Sequence, residues 1–224
     1  VTQGKLEGLS LSSVDLDGSA DYINVGDINP WSGNFSIGMW VYPDNFTGRQ
    51  NFIGQTSDSN NWWRRSHTGT GKWEIDVKSG GAKIVDDATQ THTMAASTWQ
   101  HIMLVFDGTD WKFFINGVSD GDFADASTIP NFAADVNLGT DGTATENFNG
   151  KIRDVRIYDY ALSADQAASL YSGSYNVTPV HWWKLDEGSG ETASIEDYGT
   201  GTDADGTGVS LAWTNGTLDL DSTL

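Results

Sequence analysis

Apolar and polar residues alternate along most of this chain with a period of two, in short runs separated by Gly, Asn, Asp and Pro. In Phe35-Ser36-Ile37-Gly38-Met39-Trp40-Val41-Tyr42 the residues Phe35, Ile37, Met39 and Val41 share one face, and Pro43-Asp44 stops the run. That is the pattern of a half-buried strand. Lys72 to Val77 puts Trp73, Ile75 and Val77 on one side and charges on the other. Val14–Asp17, Tyr22–Val25, Asn51–Gly54, Trp99–Phe106, Trp111–Ile115, Asp135–Gly139 and Gly150–Tyr158 read as further strands, with Gly18-Ser19, Asp107-Gly108 and Asn116-Gly117 as turns. The period changes once. Ser163 is a good N-cap, Gln166 completes a capping-box pattern, Leu162, Ala167, Leu170 and Tyr171 form an apolar side, and Gly173 ends the run. The pattern predicts an all-β, antiparallel sandwich or jelly roll with one short helix near 163–172.

Several of these runs carry more than periodicity. Val14-Asp15-Leu16-Asp17-Gly18-Ser19-Ala20-Asp21-Tyr22-Ile23, Phe35 to Pro43, Thr98 to Gly108, Phe113-Phe114-Ile115-Asn116-Gly117, and Phe148 to Tyr158 followed by Ala161-Leu162-Ser163 stand in one order along the chain. Together they resemble the successive strand motifs of laminin-G-like jelly rolls in the concanavalin A-like lectin/glucanase superfamily, across roughly residues 14–171. The resemblance implies a concanavalin A-like antiparallel β-sandwich. Most of the motif residues have structural roles: Trp40, Trp99, Phe106, Ile115 and Ile157 are expected in the core, and the Asn-Gly and Asp-Gly pairs in turns. A fold of this kind hosts many functions.

The C-terminal segment reads like a beginning. His181-Trp182-Trp183-Lys184-Leu185-Asp186-Glu187-Gly188-Ser189-Gly190 resembles the usual first strand of the same family, and Leu218-Asp219-Leu220-Asp221 echoes Val14-Asp15-Leu16-Asp17. The expectation is one module spanning 1–224, in which 176–224 supplies missing strands to the same sandwich. Such an order is tolerable when termini lie close together. Donation of these strands to a second molecule, giving strand exchange or a homo-oligomer, is the competing arrangement.

Composition narrows the partners. Twelve Lys and Arg face 31 Asp and Glu, a formal charge of −19, so nucleic acid is not an expected partner. No apolar run approaches the ~20 residues of a membrane helix, so membrane insertion is not expected, and the first residues do not read as a signal peptide. The absence of Cys excludes disulfides and thiolate chemistry. Four glycosylation sequons begin at Asn34, Asn45, Asn176 and Asn215; they matter only in a eukaryotic source.

Three chemistries are candidates. Superfamily glycosidases carry a Glu-x-Asp-x-x-Glu strand, which Glu74-Ile75-Asp76 begins, but Lys78 and Ser79 stand where the second acid is needed. Gln100-His101 resembles part of a lyase set whose Tyr-bearing strand has no counterpart. No catalytic residue is therefore expected. Asp203-Ala204-Asp205-Gly206 opens like a Ca²⁺ loop, but Thr207 and Thr214 break the EF-hand pattern. No cofactor is required; the resemblance implies Ca²⁺ at the sandwich rim as a candidate, with Asp17, Asp21 and Asp154 as matching carboxylates. Lastly, Asn60, Asn61, Trp62, Trp63, Arg64, Arg65 and His67 combine aromatic rings, amides and cations, the mixture a glycan site needs. The expected function is a non-catalytic carbohydrate-binding or adhesive module at an extracellular, cell-surface or virion surface. The rival is a structural domain of a virus particle or surface layer, with a neighbouring structural protein as partner.

Overall fold

The structure is a computed structural model that describes residues 12–86, 92–143, 145–174 and 177–214. In chain order the elements are β1 (Ser13–Asp17), β2 (Tyr22–Asn24), β3 (Phe35–Pro43), β4 (Gln50–Asp58), β5 (Asn61–His67), β6 (Trp73–Ser79), β7 (Ala82–Val85), β8 (Gln100–Phe106), β9 (Asp110–Ile115), β10 (Val118–Ala124), β11 (Val136–Leu138), β12 (Asn149–Tyr158), α1 (Ala164–Tyr171), β13 (His181–Trp183), β14 (Ser194–Ile195), β15 (Gly206–Val209) and β16 (Ala212–Thr214). They form two antiparallel sheets packed as a jelly-roll sandwich. The first sheet runs β10-β9-β8-β3-β12-β1-β16, with β13 also pairing β12; the second runs β14-β15-β2-β11-β4-β5-β6-β7.

The period-two positions meet between the sheets. Phe35, Ile37, Met39, Val41, Ile102 and Leu104 from the first sheet are fully buried with Ile53, Trp63, Ile75, Val77 and Leu138 from the second. Trp31 meets Trp63 edge-on at 4.8 Å, and Trp73 meets Phe113 at 4.7 Å. These contacts combine large apolar area with favourable ring geometry. Ser163 caps α1 through a complete capping box with Gln166. The helix lies over the outer side of the first sheet, where Leu162, Ala167 and Leu170 cover Met103, Val105, Phe114 and Tyr158. Tyr171 is 41% exposed rather than part of that apolar contact.

Trp40 and Trp99 are corrected from core residues to residues of the outer face. Each is half-buried, and the Arg153 guanidinium lies 5.3 Å from the Trp40 ring and 4.5 Å from the Trp99 ring. The alternation itself explains this: Trp40 lies between Met39 and Val41, which point inward, so its ring points out. Before the C-terminal segment, three strands, β5, β7 and β10, lie outside the runs read as strands from the sequence pattern, and β4 is longer than the four residues expected.

The C-terminal strands are distributed over both sheets. β13 pairs β12 through Val155↔Trp183 and Ile157↔His181. β15 pairs β2 through Thr207↔Asn24 and Val209↔Tyr22, and β16 pairs β1 through Val14↔Trp213. Trp183, Leu185, Ile195 and Leu211 are buried in the same core cluster as Val14 and Ile23. The expected strand Leu218–Asp221 and the sequons at Asn176 and Asn215 lie outside the described residues.

Candidate functional site

The second sheet buries one face against the first and turns the other outward. Along β5 the alternation directs Trp63, Arg65 and His67 inward, all with no exposed surface, and leaves Trp62 and Arg64 half-buried on the outer face. Strand register puts Asn24, Asn137, Gly54, Arg64 and Asp76 in one row across β2, β11, β4, β5 and β6. Thr56 and Trp62 face each other in the next row, where opposed side chains sit about 5 Å apart.

A loop lies on the middle of this face. Gly139 N–H donates to Phe52 O, Phe148 N–H to Gly139 O, and Asn51 N–H to Glu146 O, fixing both ends of the 140–147 segment to β4 and to itself. Gly54 makes room for it: a Cβ there would lie 2.8 Å from Asp141 Cβ and 2.9 Å from Trp63 O. Arg64 clamps the loop from below. Its Nη2 is 3.2 Å from Asp76 Oδ2, its Nη1 pairs with Glu146 and approaches Asp141 at 3.9 Å, and its guanidinium stacks 4.6 Å from the Trp62 ring centre. Arg49 pairs with Glu74, and Lys83 reaches Asp76 at 3.2 Å.

Beside the loop is a cavity of about 490 Å³. Its strand-borne lining is Tyr22 and Asn24 of β2, Asn137 of β11, Thr56 of β4 and Val209 of β15; Ser19, Asp135, Thr140 and Asn147 close it. Asn24 Nδ2 donates to Asp135 Oδ2 at 2.9 Å, Asn137 Nδ2 donates to the Asp135 carbonyl at 3.2 Å, and Asn147 donates to Ser19 O. The Thr56 Oγ1 is buried with no hydrogen-bond partner among the described residues. The pocket thus offers an aromatic ring, amides, hydroxyls and a carboxylate; Trp62, outside that lining, stands opposite Thr56 across β4 and β5. A larger cavity of about 610 Å³ at the other end of β2 is lined by Asp27, Asp159, His181, Asp203 and Asp205, with no Phe, Tyr or Trp among its described lining residues.

The seven residues expected to form one glycan patch are separated by this geometry. Asn60 is exposed at the β4–β5 turn, donating from its backbone to Asp58 Oδ1. Asn61 Nδ2 donates to both Asp58 oxygens, and its Oδ1 accepts from Gly80 N–H, so its amide is engaged in turn structure. Those bonds, Asn61 first, hold the Asp58 carboxyl below its ordinary pKa. Trp62 and Arg64 belong to the outer face. Trp63, Arg65 and His67 are corrected to the interior. Trp63 Nε1 donates to Gln55 Oε1 at 3.0 Å. Arg65 Nη1 donates to Ile37 O at 2.9 Å, its guanidinium lies 4.6 Å from the Trp73 ring centre, and burial pushes its pKa well down. His67 contacts Thr68 O and Gln50 between Phe46, Phe52 and Phe148, and burial lowers its pKa.

The carboxylates implied for Ca²⁺ do not converge. Asp17 Oδ1 accepts from Ser19 N–H at 2.7 Å, capping its own turn, while Asp17 N–H donates to Asp21 Oδ2 at 3.0 Å. Asp21 is buried, which raises its pKa. Asp17 faces Asn149 in β12, whereas Asp154 lies five residues further along that strand, roughly 15 Å away at strand rise. There Asp154 Oδ1 accepts from Arg156 Nε at 2.8 Å and Trp182 Nε1 at 2.6 Å. Among the described residues no group of three or more His, Asp or Glu is placed to hold a metal ion. The donor set does not fit Ca²⁺.

The pocket residues Tyr22, Asn24, Thr56, Asp135, Asn137, Asn147 and Val209 come from separate segments of the chain. Each is a common strand or loop residue in its own segment, and only the strand order brings them together. Among the described residues no helix is long and apolar enough to cross a membrane.

Sandwich topology, strand order and the inward aromatic set define a lectin-type jelly roll. The chain belongs to the concanavalin A-like lectin/glucanases superfamily, whose laminin-G-type family model matches residues 17–168. A search of curated proteins gives no match. Among solved structures, a Bacteroides ovatus protein provisionally assigned to carbohydrate binding aligns over 91% of this chain and 59% of its own length, with 15% identity and a TM-score of 0.65. Domain 4 of an extracellular arabinanase from Geobacillus stearothermophilus, in complex with arabinotriose, aligns over 76% of this chain and 79% of its own length, with 22% identity and a TM-score of 0.61. The carbohydrate-binding module of a Ruminococcus gnavus sialidase, bound to α2,3-sialyllactose, aligns over 73% of this chain and all of its own length, with 16% identity and a TM-score of 0.60. This chain therefore spans little more than half of the Bacteroides protein. At these identities the likeness is one of fold.

Proposed function

We propose that the protein is a non-catalytic carbohydrate-binding module of an extracellular or surface-exposed protein, and that it takes glycan on the outer face of its second sheet. The observation that carries this is the 490 Å³ pocket, where Tyr22 stands among Asn24, Asn137, Asn147, Thr56 and Asp135. Sugars present apolar CH faces for a ring and hydroxyls for amide and carboxylate partners, and a small number of placed polar groups fixes their orientation. The glycan complexes among the structural relatives support the same reading. The acidic residues that resemble half a glycosidase motif support binding rather than hydrolysis. Glu74 and Asp76 are fully buried and paired to Arg49, Arg64 and Lys83, so neither is presented as a nucleophile.

Under this proposal the chain is a single module whose C-terminal segment packs in cis, because Val209 of β15 forms one wall of the pocket. The test is a glycan array followed by titration calorimetry on the best ligand, with Asn137→Ala and Trp62→Ala as variants. Each variant should weaken binding about tenfold or more while leaving the fold intact, in keeping with loss of a buried polar contact or a ring contact. Wild-type protein that binds no glycan, or variants that bind as well as wild type, overturns the proposal. Release of products from laminarin, agar, carrageenan or alginate overturns its non-catalytic part.

A further inference from the structure

Among the described residues that line the pocket one side chain is charged, and it is an acid. Asp135 is held at the β11 end by the Asn24 amide, 2.9 Å from its Oδ2, so the carboxylate is oriented rather than free to swing away. Among the described residues no Lys, Arg or His lines the cavity. The nearest cation by strand register is Arg64, one strand beyond Gly54 in the row of Asn24 and Asn137. It is committed to Asp76 and Glu146, with Asp141 a further carboxylate at 3.9 Å. Arg49 is likewise committed to Glu74. Beyond the pocket the whole chain carries a formal charge of −19.

A ligand carboxylate or sulfate entering here would lose hydration and meet no available cation, next to a fixed like charge. Burying an unpaired charge is costly, and juxtaposed like charges add to that cost. A sugar hydroxyl meets the opposite situation. It donates its one proton to Asp135 in a charge-assisted hydrogen bond, and the amide N–H groups of Asn137 and Asn147 donate to its lone pairs. We infer that this pocket selects an uncharged sugar and rejects acidic ones, with Asp135 as the residue that sets the choice. The inference rests on the carbohydrate-binding reading above and adds the ligand class to it. It also sets this chain apart from the sialidase module of the same fold, whose bound sugar is the anionic sialyllactose.

The experiment uses the full chain on an array that carries neutral and acidic members of the same backbone, such as galactose and galacturonate oligomers, or lactose and sialyllactose. Calorimetry on the pair that binds is then run at low and moderate salt. Wild type should bind the neutral member at least about tenfold more tightly, a gap of about 1.4 kcal/mol. Added salt should narrow the gap, since the repulsive part is screened. The isosteric Asp135→Asn should shrink the ratio several-fold with an unchanged melting temperature, because Asp135 is exposed and makes no core contact. An acidic member bound as tightly as its neutral counterpart overturns the inference and leaves the carbohydrate reading standing, as does an Asp135→Asn ratio equal to wild type. Absence of binding to every glycan overturns both.

Discussion

Trp183→Ala tests whether the C-terminal segment is part of the sandwich of its own chain. Trp183 has no exposed surface, its Nε1 donates to Ala204 O at 2.9 Å, and its ring lies parallel to His181 at 5.5 Å. Through β13 it stands opposite Val155 of β12, inside the cluster that contains Val14, Ile23 and Val155. A buried tryptophan removes on the order of 200 Å² from water, about 5 kcal/mol at the usual coefficient. Partial collapse of the site brings the expected cost of truncation to about 3–5 kcal/mol. For a chain of this length the unfolding entropy is roughly 0.5 kcal/mol/K, so Tm should fall by about 6–10 °C. Differential scanning calorimetry at several protein concentrations is the assay. One cooperative transition, shifted down and independent of concentration, is the expected result. Tyr198→Ala in the same segment, at a 38% exposed position, serves as a control that should change little. A Trp183→Ala protein that keeps its Tm, or melts in two separate transitions, would refute cis packing. A Tm that rises with protein concentration would show that the strands are exchanged between molecules.

Three further outcomes follow from the same geometry. Gly54→Ala places a methyl 2.8 Å from Asp141 Cβ, so the 140–147 loop must shift; a loss of about 1–3 kcal/mol in urea unfolding and weaker glycan binding are expected together, and unchanged binding would separate the loop from the pocket. His101 is buried under α1, and burial, reinforced by Arg65 and Arg156, drops its pKa from 6.5 to about 3. The unfolded chain therefore takes up a proton first: stability from this group is complete above pH 6.5 and is lost as pH falls from there to about 3, a total of roughly 3–5 kcal/mol. His67, also lowered by burial, acts in the same direction; a His101→Gln protein should show a flatter loss of urea stability over that window, and an unchanged slope would contradict the assignment. Arg65 is fully buried, and among the described residues its Nε and Nη2 have no hydrogen-bond partner and no carboxylate pairs with it. Replacing a poorly compensated buried charge by an apolar side chain is often neutral or stabilising. Arg65→Met should therefore be as stable as wild type or up to about 2 kcal/mol more stable, and a loss above about 3 kcal/mol in chemical denaturation would show that the Ile37 bond and Trp73 stacking outweigh desolvation.

The sequence by itself determined the class of fold, because the cause is local and repeated. Inward residues such as Phe35, Ile37, Met39 and Val41 are set by a two-residue period that strand geometry imposes wherever it occurs, and the α1 boundary by a cap and box within four residues. The same period, applied to Asn61–His67, would have divided Trp62 and Arg64 from Trp63, Arg65 and His67. Their shared chemistry suggests one glycan patch, but adjacent residues of a strand face opposite sides. For Trp40 and Trp99 size and apolarity favour burial, but both rings lie on the outer face against Arg153, Trp40 because its place in β3 alternates with the inward Met39 and Val41. Asp17 and Asp154 could not be separated by composition, since only the path of β12 shows how far apart they stand. The pocket was decided by tertiary structure alone. Tyr22, Thr56, Asn137 and Val209 become neighbours because β15, β2, β11 and β4 lie side by side. That order is fixed by long-range pairing and shared burial, which no local pattern in the chain encodes.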